Sequence, residues 1–141
     1  MIAYFDTSAI VPLIIEEATS PTCRRLWNDA TRVASSRLLY PETRAALARA
    51  ERLGRLTTRQ LATAVGELES LIEQIDVIEV SPDIAHAAGE LAQRFGLRGY
   101  DAVHLAAALA MNDDDVVLVT GDHDLASAAK AAGMATALTT V

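Results

Sequence analysis

The sequence predicts an α/β fold, in the form of a three-layer α/β/α sandwich around a central, mostly parallel sheet. Short strand-like runs alternate with longer stretches of helical periodicity along the chain. Parallel strands need such crossover connections, and the crossover helices cover both faces of the sheet. Residues 116–119 are all apolar, as is typical of a central strand that is buried on both faces. A chain of 141 residues has the size of one domain, so we expect a single domain over residues 1–141.

Capping and breaking residues place the elements of the first half of the chain. Its predicted elements are, in order, strand 2–5, helices 8–17 and 20–28, a weak strand at 33–36, and helices 41–52 and 58–75. Ser20 followed by Pro21 marks a helix start, because serine caps helices and proline suits the first helical position. Gly54 ends the helix that precedes it. Helix 58–75 carries one apolar stripe, since its aliphatic residues recur every three or four positions.

The second half repeats the alternation. Its predicted elements are, in order, strand 76–80, helices 82–95 and 99–111, strand 116–119, helix 122–132 and a last strand candidate at 134–138. Ser81 followed by Pro82 gives the same start signal as in the first half. Gly121 turns the chain into its last helix, and Gly133 caps that helix.

Composition narrows the class of protein. We expect a soluble, cytoplasmic protein, because no run of about 20 uncharged apolar residues occurs and the N-terminus does not resemble a signal peptide. Cys23 is the single cysteine, so no internal disulfide can form. The formal net charge of −7 ordinarily argues against a partner made of phosphate. Aromatic residues are few, which argues against platforms for stacking bases.

Four acidic residues are the strongest functional signal. Asp6 and Asp122 follow predicted strands, Glu42 follows the weak strand at a short distance, and Asp101 follows Gly99 and must be brought in by its helix. Ligands of open parallel sheets bind at the carboxyl ends of the strands, so these four carboxylates would converge. Each acid also has a purely structural reading as a helix cap or as a partner of a helix dipole.

Converging carboxylates indicate a divalent cation. Their mutual repulsion costs several kcal/mol unless protons or cations compensate it. Ligands that are all oxygen select hard ions, so we expect Mg²⁺ or Mn²⁺. Such an ion makes a bound water acidic enough to attack phosphorus, which favours phosphodiester hydrolysis. It also offsets the charge of an incoming phosphate, as do arginines, which supply all but one of the 12 basic residues.

Four short motifs resemble those of the PIN-domain nucleases, and within that family those of VapC-type toxins of bacterial toxin–antitoxin pairs. In chain order these motifs are residues 5–9 (FDTSA), 40–42 (YPE), 100–106 (YDAVHLA) and 119–125 (VTGDHDL). The resemblance spans the whole chain and implies a PIN-like domain with Mg²⁺- or Mn²⁺-dependent endoribonuclease activity. It implies Asp6, Glu42, Asp101 and Asp122 as the acidic quartet. It further implies an RNA substrate, a cognate antitoxin as partner, and a homodimer or higher oligomer.

We can assign a hypothetical role to each acid. Asp6 and Asp101 would be the main metal ligands, Asp122 would bind the metal directly or through water, and Glu42 would orient or deprotonate the attacking water. Asp124 adds an acid to the commonest pattern and would be either a fifth contributor or a solvated helix residue.

Four further residues have both a functional and a structural reading. Ser8 and Thr120 would hold carboxylates or phosphate with their hydroxyl groups, although capping explains them equally well. His104, on the same helix face as Asp101, would either assist a phosphate or be a core or supporting group. Arg98, just ahead of the Asp101 helix, would either contact RNA or simply be solvated.

The partner and the alternatives follow from the same residues. Residues 10–15 are more apolar than one buried helix face requires, which indicates a surface for another chain, such as an antitoxin helix.

One alternative function is that of a catalytically inactive PIN-like module that binds RNA or protein, but all four acids are present. Another is a phosphatase with Asp6 as nucleophile, which needs a second aspartate where Ser8 stands.

Overall fold

A five-stranded parallel sheet flanked by helices forms the fold, which confirms the predicted α/β class. The structure is a computed structural model and describes residues 1–140. Its strands are β1 (Ile2–Phe5), β2 (Arg32–Ser36), β3 (Asp76–Ile78), β4 (Val116–Thr120) and β5 (Ala135–Leu138). The helices of these residues are α1 (Thr7–Ile14), α2 (Ser20–Asp29), α3 (Leu39–Arg52), α4 (Thr58–Glu73), α5 (Pro82–Phe95), α6 (Gly99–Ala110) and α7 (His123–Ala131). None of these helices has the length and apolar character that crossing a membrane requires.

The strand order creates a crevice at the centre of the sheet. The order is β3-β2-β1-β4-β5 and every neighbouring pair is parallel. The chain runs outwards from β1 to β3 on one side and then returns to build β4 and β5 on the other. Phe5, at the end of β1, lies opposite Val119 of β4. Residues that follow these two positions therefore meet at the point where the strand order reverses, which is where open α/β sheets bind ligands.

Alternating side chains of the central strands build the two halves of the core. On one face Tyr4 and Leu118 belong to a buried cluster with Leu105 of α6. On the other face Phe5 and Val119 belong to a second buried cluster that includes residues of α1 and α2. The two central strands are thus buried on both sides, as the apolar run in β4 predicts.

Helix α1 spans Thr7–Ile14 and ends three residues earlier than predicted. Ile15 already has an extended backbone, and the hydroxyl of Ser20 donates to the carbonyl of Pro12 at 2.5 Å. That carbonyl belongs to the last turn of α1, where carbonyls have no partner within the helix. A residue eight positions further along the chain therefore fixes the end of α1.

Helix α3 begins at Leu39, two residues before the predicted start at Pro41. Proline is tolerated there because the first four N–H groups of a helix have no partner within it. Glu42 lies inside the first turn of α3, as the predicted helix start at Pro41 implied. Strand β3 ends at Ile78, two residues before the predicted boundary.

Candidate active site

One cavity of about 470 Å³ brings together the four acids that the sequence singles out. Asp6, Glu42, Asp101 and Asp122 all line it. Asp6 follows β1, Glu42 and Asp101 lie in the first turns of α3 and α6, and Asp122 caps α7. The fold therefore gathers carboxylates from four separate parts of the chain at one edge of the sheet.

Asp6 is the most buried of these acids, with 4% of its surface exposed. Its Oδ1 accepts hydrogen bonds from the hydroxyl of Ser8 at 2.6 Å and from the N–H of Ala9 at 3.3 Å, and its Oδ2 accepts from the hydroxyl of Thr120 at 2.8 Å. Burial raises the pKa of this carboxyl above its ordinary value, while the hydrogen bonds from Ser8, Thr120 and Ala9 lower it. The carboxylate is thus fixed in orientation but incompletely compensated in charge.

The loop after β4 is tied to the start of α1. The N–H of Gly121 donates to the hydroxyl oxygen of Ser8 at 2.8 Å, and the N–H of Asp122 donates to the hydroxyl oxygen of Thr120 at 3.0 Å. A Cβ atom at position 121 would lie 3.1 Å from the hydroxyl oxygen of Thr139, so a side chain there would push on its neighbours. Ser8 and Thr120 therefore position both Asp6 and the loop that carries Asp122.

Glu42 is held by two donors on the same oxygen. Its Oε1 accepts from the hydroxyl of Thr7 at 3.0 Å and lies 2.6 Å from Nε2 of His104. The other ring nitrogen of His104, Nδ1, lies 2.8 Å from the hydroxyl of Tyr4. Of the two readings of His104, the structure favours a supporting group, because the ring is buried and contacts one of the four acids.

Asp101 and Asp122 both lie close to the guanidinium group of Arg98. Arg98 donates from Nε to Oδ2 of Asp101 at 3.0 Å, and its terminal nitrogen lies 3.8 Å from Oδ2 of Asp122. Burial raises the pKa of the Asp101 carboxyl, and the Arg98 guanidinium opposes that rise. The guanidinium also lies over the ring of Tyr100, 4.9 Å from its centre. Arg98 is therefore part of the site rather than an unattached solvated arginine.

Asp122 serves two purposes at once. Its Oδ1 accepts from the N–H groups of Asp124 and Leu125 at 2.8 and 3.1 Å and so caps α7. Its Oδ2 faces Arg98 and the cavity. Asp124 lies outside this cavity, in a separate depression that Phe95 and Ser127 also line. Its position favours the reading of a solvated helix residue.

The carboxylate oxygens of the site suit a hard divalent ion, although the acids are not arranged as a preformed metal site. Within residues 1–140 no three His, Cys, Asp or Glu side chains are grouped so that they could hold one metal ion. Hydroxyl donors, His104 and Arg98 instead satisfy the carboxylates, so their convergence alone does not require a metal. Asp6, Asp101 and Asp122 nevertheless offer only oxygen ligands around one cavity, which fits Mg²⁺ or Mn²⁺.

Sequence reasoning missed two residues that support the site. Thr7 bonds Glu42 across 35 positions, and Tyr4 bonds His104 across 100 positions. A usable signal existed for Thr7, which directly follows Asp6 and so lies at the same sheet edge. For Tyr4 the signal was weaker, because a tyrosine within an apolar strand is usually interpreted as a core residue without a role in a site.

Comparisons with known proteins agree with this architecture. The sequence matches the PIN domain family over residues 3–131. Ribonuclease VapC45 of Mycobacterium tuberculosis is 42% identical to it over 132 residues, which span 94% of this chain and 92% of that relative.

Solved structures share the fold. The crystal structure of PAE2754 from Pyrobaculum aerophilum has a TM-score of 0.72 and 25% identity, and the match covers 96% of this chain and 83% of that one. A toxin-antitoxin complex from Klebsiella pneumoniae contains a chain with a TM-score of 0.64 and 22% identity, over 88% of this chain and 90% of that one. The second likeness is one of fold alone.

Proposed function

This chain belongs to the PIN domain family, and within it to the VapC group, and from that premise we propose that it is a metal-dependent endoribonuclease. We propose further that it acts in the cytoplasm as the toxin of a toxin–antitoxin pair. The observation that carries the proposal is the convergence of Asp6, Glu42, Asp101 and Asp122 on one cavity. The ribonuclease name of the relative supports RNA as the substrate.

Asp6, Asp101 and Asp122 would hold the metal ion, Mg²⁺ or Mn²⁺. When bound, a divalent ion supplies positive charge against phosphate oxygens and makes a water molecule more acidic. Asp6 suits this role because the hydrogen-bond donors that contact its buried carboxylate within residues 1–140 are all neutral. Ser8 and Thr120 keep that carboxylate in a single orientation and keep the Asp122 loop beside it.

Glu42 would accept the proton of the attacking water. Its side chain lines the cavity, and Thr7 and His104 both bond to Oε1. The other carboxylate oxygen, Oε2, is then available to a water molecule in the cavity. A base in this position takes up a proton as the bond between water oxygen and phosphorus forms and the bond from phosphorus to the leaving RNA oxygen breaks, and that leaving oxygen gains a proton from solvent.

Arginines on the cavity wall would offset the charge of the RNA backbone. Arg49, Arg55 and Arg98 line the same cavity as the acids. Guanidinium groups bind phosphate oxygens through forked hydrogen bonds, so these three residues can attract a polyanion to a chain whose net charge is −7. Arg98 would exchange its contact with Asp101 for one with phosphate.

Cleavage of RNA by matched variants tests the nuclease proposal. We expect the protein with Mn²⁺ to cut RNA, Asp101→Asn to lose cleavage, and Asp124→Asn to retain it, because Asp124 lies outside the cavity. Sequencing of RNA ends identifies the cuts, and circular dichroism verifies folding. Equal cleavage by the folded Asp101→Asn variant and the parent protein would refute the assignment in favour of an inactive RNA- or protein-binding module.

An apolar groove supports the proposal of an antitoxin partner. Ile14, Ile15, Leu56 and Ala64 line a depression of about 350 Å³ between α1 and α4. Ile15 also lines the acidic cavity, so a helix that lay in the groove would reach the acids. An amphipathic helix with basic residues at one end matches such a surface.

Coexpression with the product of the neighbouring gene tests this partner. We expect the two proteins to copurify and Ile15→Glu to weaken the complex, whereas lack of association at micromolar concentration contradicts the proposal. Light scattering on the toxin alone measures its assembly, which we propose to be a homodimer or a higher oligomer.

A further inference from the structure

His104 connects the interior of the protein to the acidic cavity. It lies on α6, three residues after Asp101, and only 1% of its surface is exposed. One ring nitrogen contacts the hydroxyl of Tyr4 in β1, and the other contacts the carboxylate of Glu42 in α3. The imidazole therefore bridges two parts of the fold that are 38 positions apart in sequence and joins them through hydrogen bonds.

The partners of the two ring nitrogens determine where the protons lie. A carboxylate oxygen only accepts, so Nε2 of His104 carries a proton and donates it to Oε1 of Glu42. The hydroxyl of Tyr4 lies 2.8 Å from Nδ1, and a tyrosine hydroxyl carries a proton that it can donate to an unprotonated ring nitrogen. A neutral imidazole has one donor and one acceptor, and both are used here.

The orientation of Glu42 follows from this arrangement. Thr7 and His104 both bond to Oε1, from the start of α1 and from α6 respectively. Two donors from different elements restrict rotation of the carboxylate. The position of its second oxygen, Oε2, is thereby restricted as well, at the wall of the cavity that Glu42 lines.

We propose that His104 is a positioning residue for Glu42, and that Tyr4 fixes the ring tautomer in which His104 does this. The inference rests on the proposed ribonuclease function, because it treats Glu42 as the residue that receives the proton of water. Tyr4 sets the tautomer, the tautomer presents Nε2–H to Glu42, and Glu42 presents Oε2 to water. His104 itself touches neither RNA nor the metal ion.

Nitrogen NMR of the imidazole rings tests the tautomer without any measurement of activity. The protein has three histidines, and the spectrum of His104→Gln identifies the signals of His104. We expect a neutral ring protonated on Nε2 in the parent protein, and a mixture of tautomers in Tyr4→Phe, which lacks the hydroxyl that donates to Nδ1. A ring protonated on Nδ1 in the parent protein, or an unchanged tautomer in Tyr4→Phe, would overturn the inference.

Kinetics of two variants separate positioning from a merely structural role. His104→Leu removes the donor to Glu42, and we expect kcat for RNA cleavage to fall about 10–100-fold with little change in KM, as for other groups that orient an active-site ligand. His104→Gln retains a donor near the place of Nε2 and should recover most of kcat. His86→Gln, at an exposed position on α5, is the matched control and should leave kcat unchanged.

The outcomes distinguish this inference from the nuclease proposal. If His104→Gln and His104→Leu lose kcat only in proportion to their folded fraction, His104 has a structural role and the inference fails while the nuclease proposal stands. If the parent protein cuts no RNA, the nuclease proposal fails, and with it the role of Glu42. The NMR result still decides whether Tyr4 sets the tautomer. If His104→Leu does not fold, Tyr4→Phe gives the kinetic test, and an unchanged kcat overturns the inference.

Discussion

Nε of Arg98 lies 3.0 Å from Oδ2 of Asp101, and a terminal nitrogen of the same guanidinium lies 3.8 Å from Oδ2 of Asp122. A protein cation thus compensates two of the carboxylates that we assign to a divalent ion. Arg98 is 66% exposed along its side chain, so its ion pairs are screened by solvent and weak. The guanidinium and a metal ion would compete for the same oxygen atoms.

This competition predicts that Arg98→Ala binds Mn²⁺ more tightly than the parent protein. Removal of the guanidinium frees Oδ2 of Asp101 and makes the cavity more negative. Because exposed ion pairs are weak, we expect the dissociation constant to fall only about 2–5-fold. Isothermal titration calorimetry without RNA measures this change. Arg94→Ala is the matched control, since Arg94 lies over the ring of Phe95 as Arg98 lies over Tyr100. Equal or weaker Mn²⁺ binding by Arg98→Ala would argue against competition.

The buried carboxyl of Asp6 should lower the free energy of unfolding of the metal-free protein in a pH-dependent way. Burial raises its pKa in the folded state above the ordinary value of 3.8. As the pH rises from 3.8 through the folded-state pKa, the unfolded chain loses this proton first, so stability falls. Each pKa unit by which folding raises this value lowers the free energy of unfolding by about 1.4 kcal/mol at neutral pH. We therefore expect Asp6→Asn to melt at a higher temperature than the parent protein at pH 7 in EDTA.

The difference between these two proteins should shrink as the pH is lowered from 7 to below 3.8, because Asp6 then becomes protonated in both the folded and unfolded states. Thermal melting across this range provides the measurement. Asp124→Asn controls for the removal of one negative charge from a surface position. A melting difference between Asp6→Asn and the parent protein that stays constant with pH would mean that burial does not raise this pKa.

The fold was predictable because its signals are local. Strand-like runs, start signals such as Ser81-Pro82 and the glycine at 133 each act within a few residues, and all five strands lie within two residues of their predicted bounds. The end of α1 was not predictable, because it depends on a hydrogen bond between Ser20 and Pro12 that tertiary structure brings about. Local patterns cannot encode such a contact.

The same distinction applies to the site. Asp6 and Asp122 could be placed together because strand ends meet at one edge of a parallel sheet, whereas Glu42 and Asp101 are brought there by the first turns of their helices. The hydrogen bonds that hold the acids in place join residues that are distant in sequence, as in the pair of Thr7 and Glu42. Local sequence patterns do not predict such pairs. Arg98 was ambiguous for another reason: a loop arginine looks the same in sequence whether it is solvated or paired.

Substitution of Thr120 tests how much its hydrogen bond to Asp6 contributes to stability. Its hydroxyl is buried and donates to Oδ2 of Asp6 at 2.8 Å. Thr120→Val keeps the shape of the side chain but leaves that oxygen without its donor, so we expect a loss of about 1–3 kcal/mol in the free energy of unfolding. Thr120→Ser retains the hydroxyl and should lose less. Denaturant unfolding compares the two, and equal destabilisation would assign the effect to packing of the methyl group.

Glu42→Gln should separate proton transfer from metal binding. Glutamine keeps the size of the side chain and an oxygen that can accept from Thr7 and His104, but it cannot take up a proton from water. We expect kcat for RNA cleavage to fall about 10²–10⁴-fold, the usual contribution of a general base. Mn²⁺ affinity, measured by calorimetry, should change little because Glu42 is not among the assigned ligands. Asp101→Asn is the contrasting variant and should lose both. If Glu42→Gln lost Mn²⁺ binding to the same degree as Asp101→Asn, Glu42 would be a metal ligand and some other group would receive the proton.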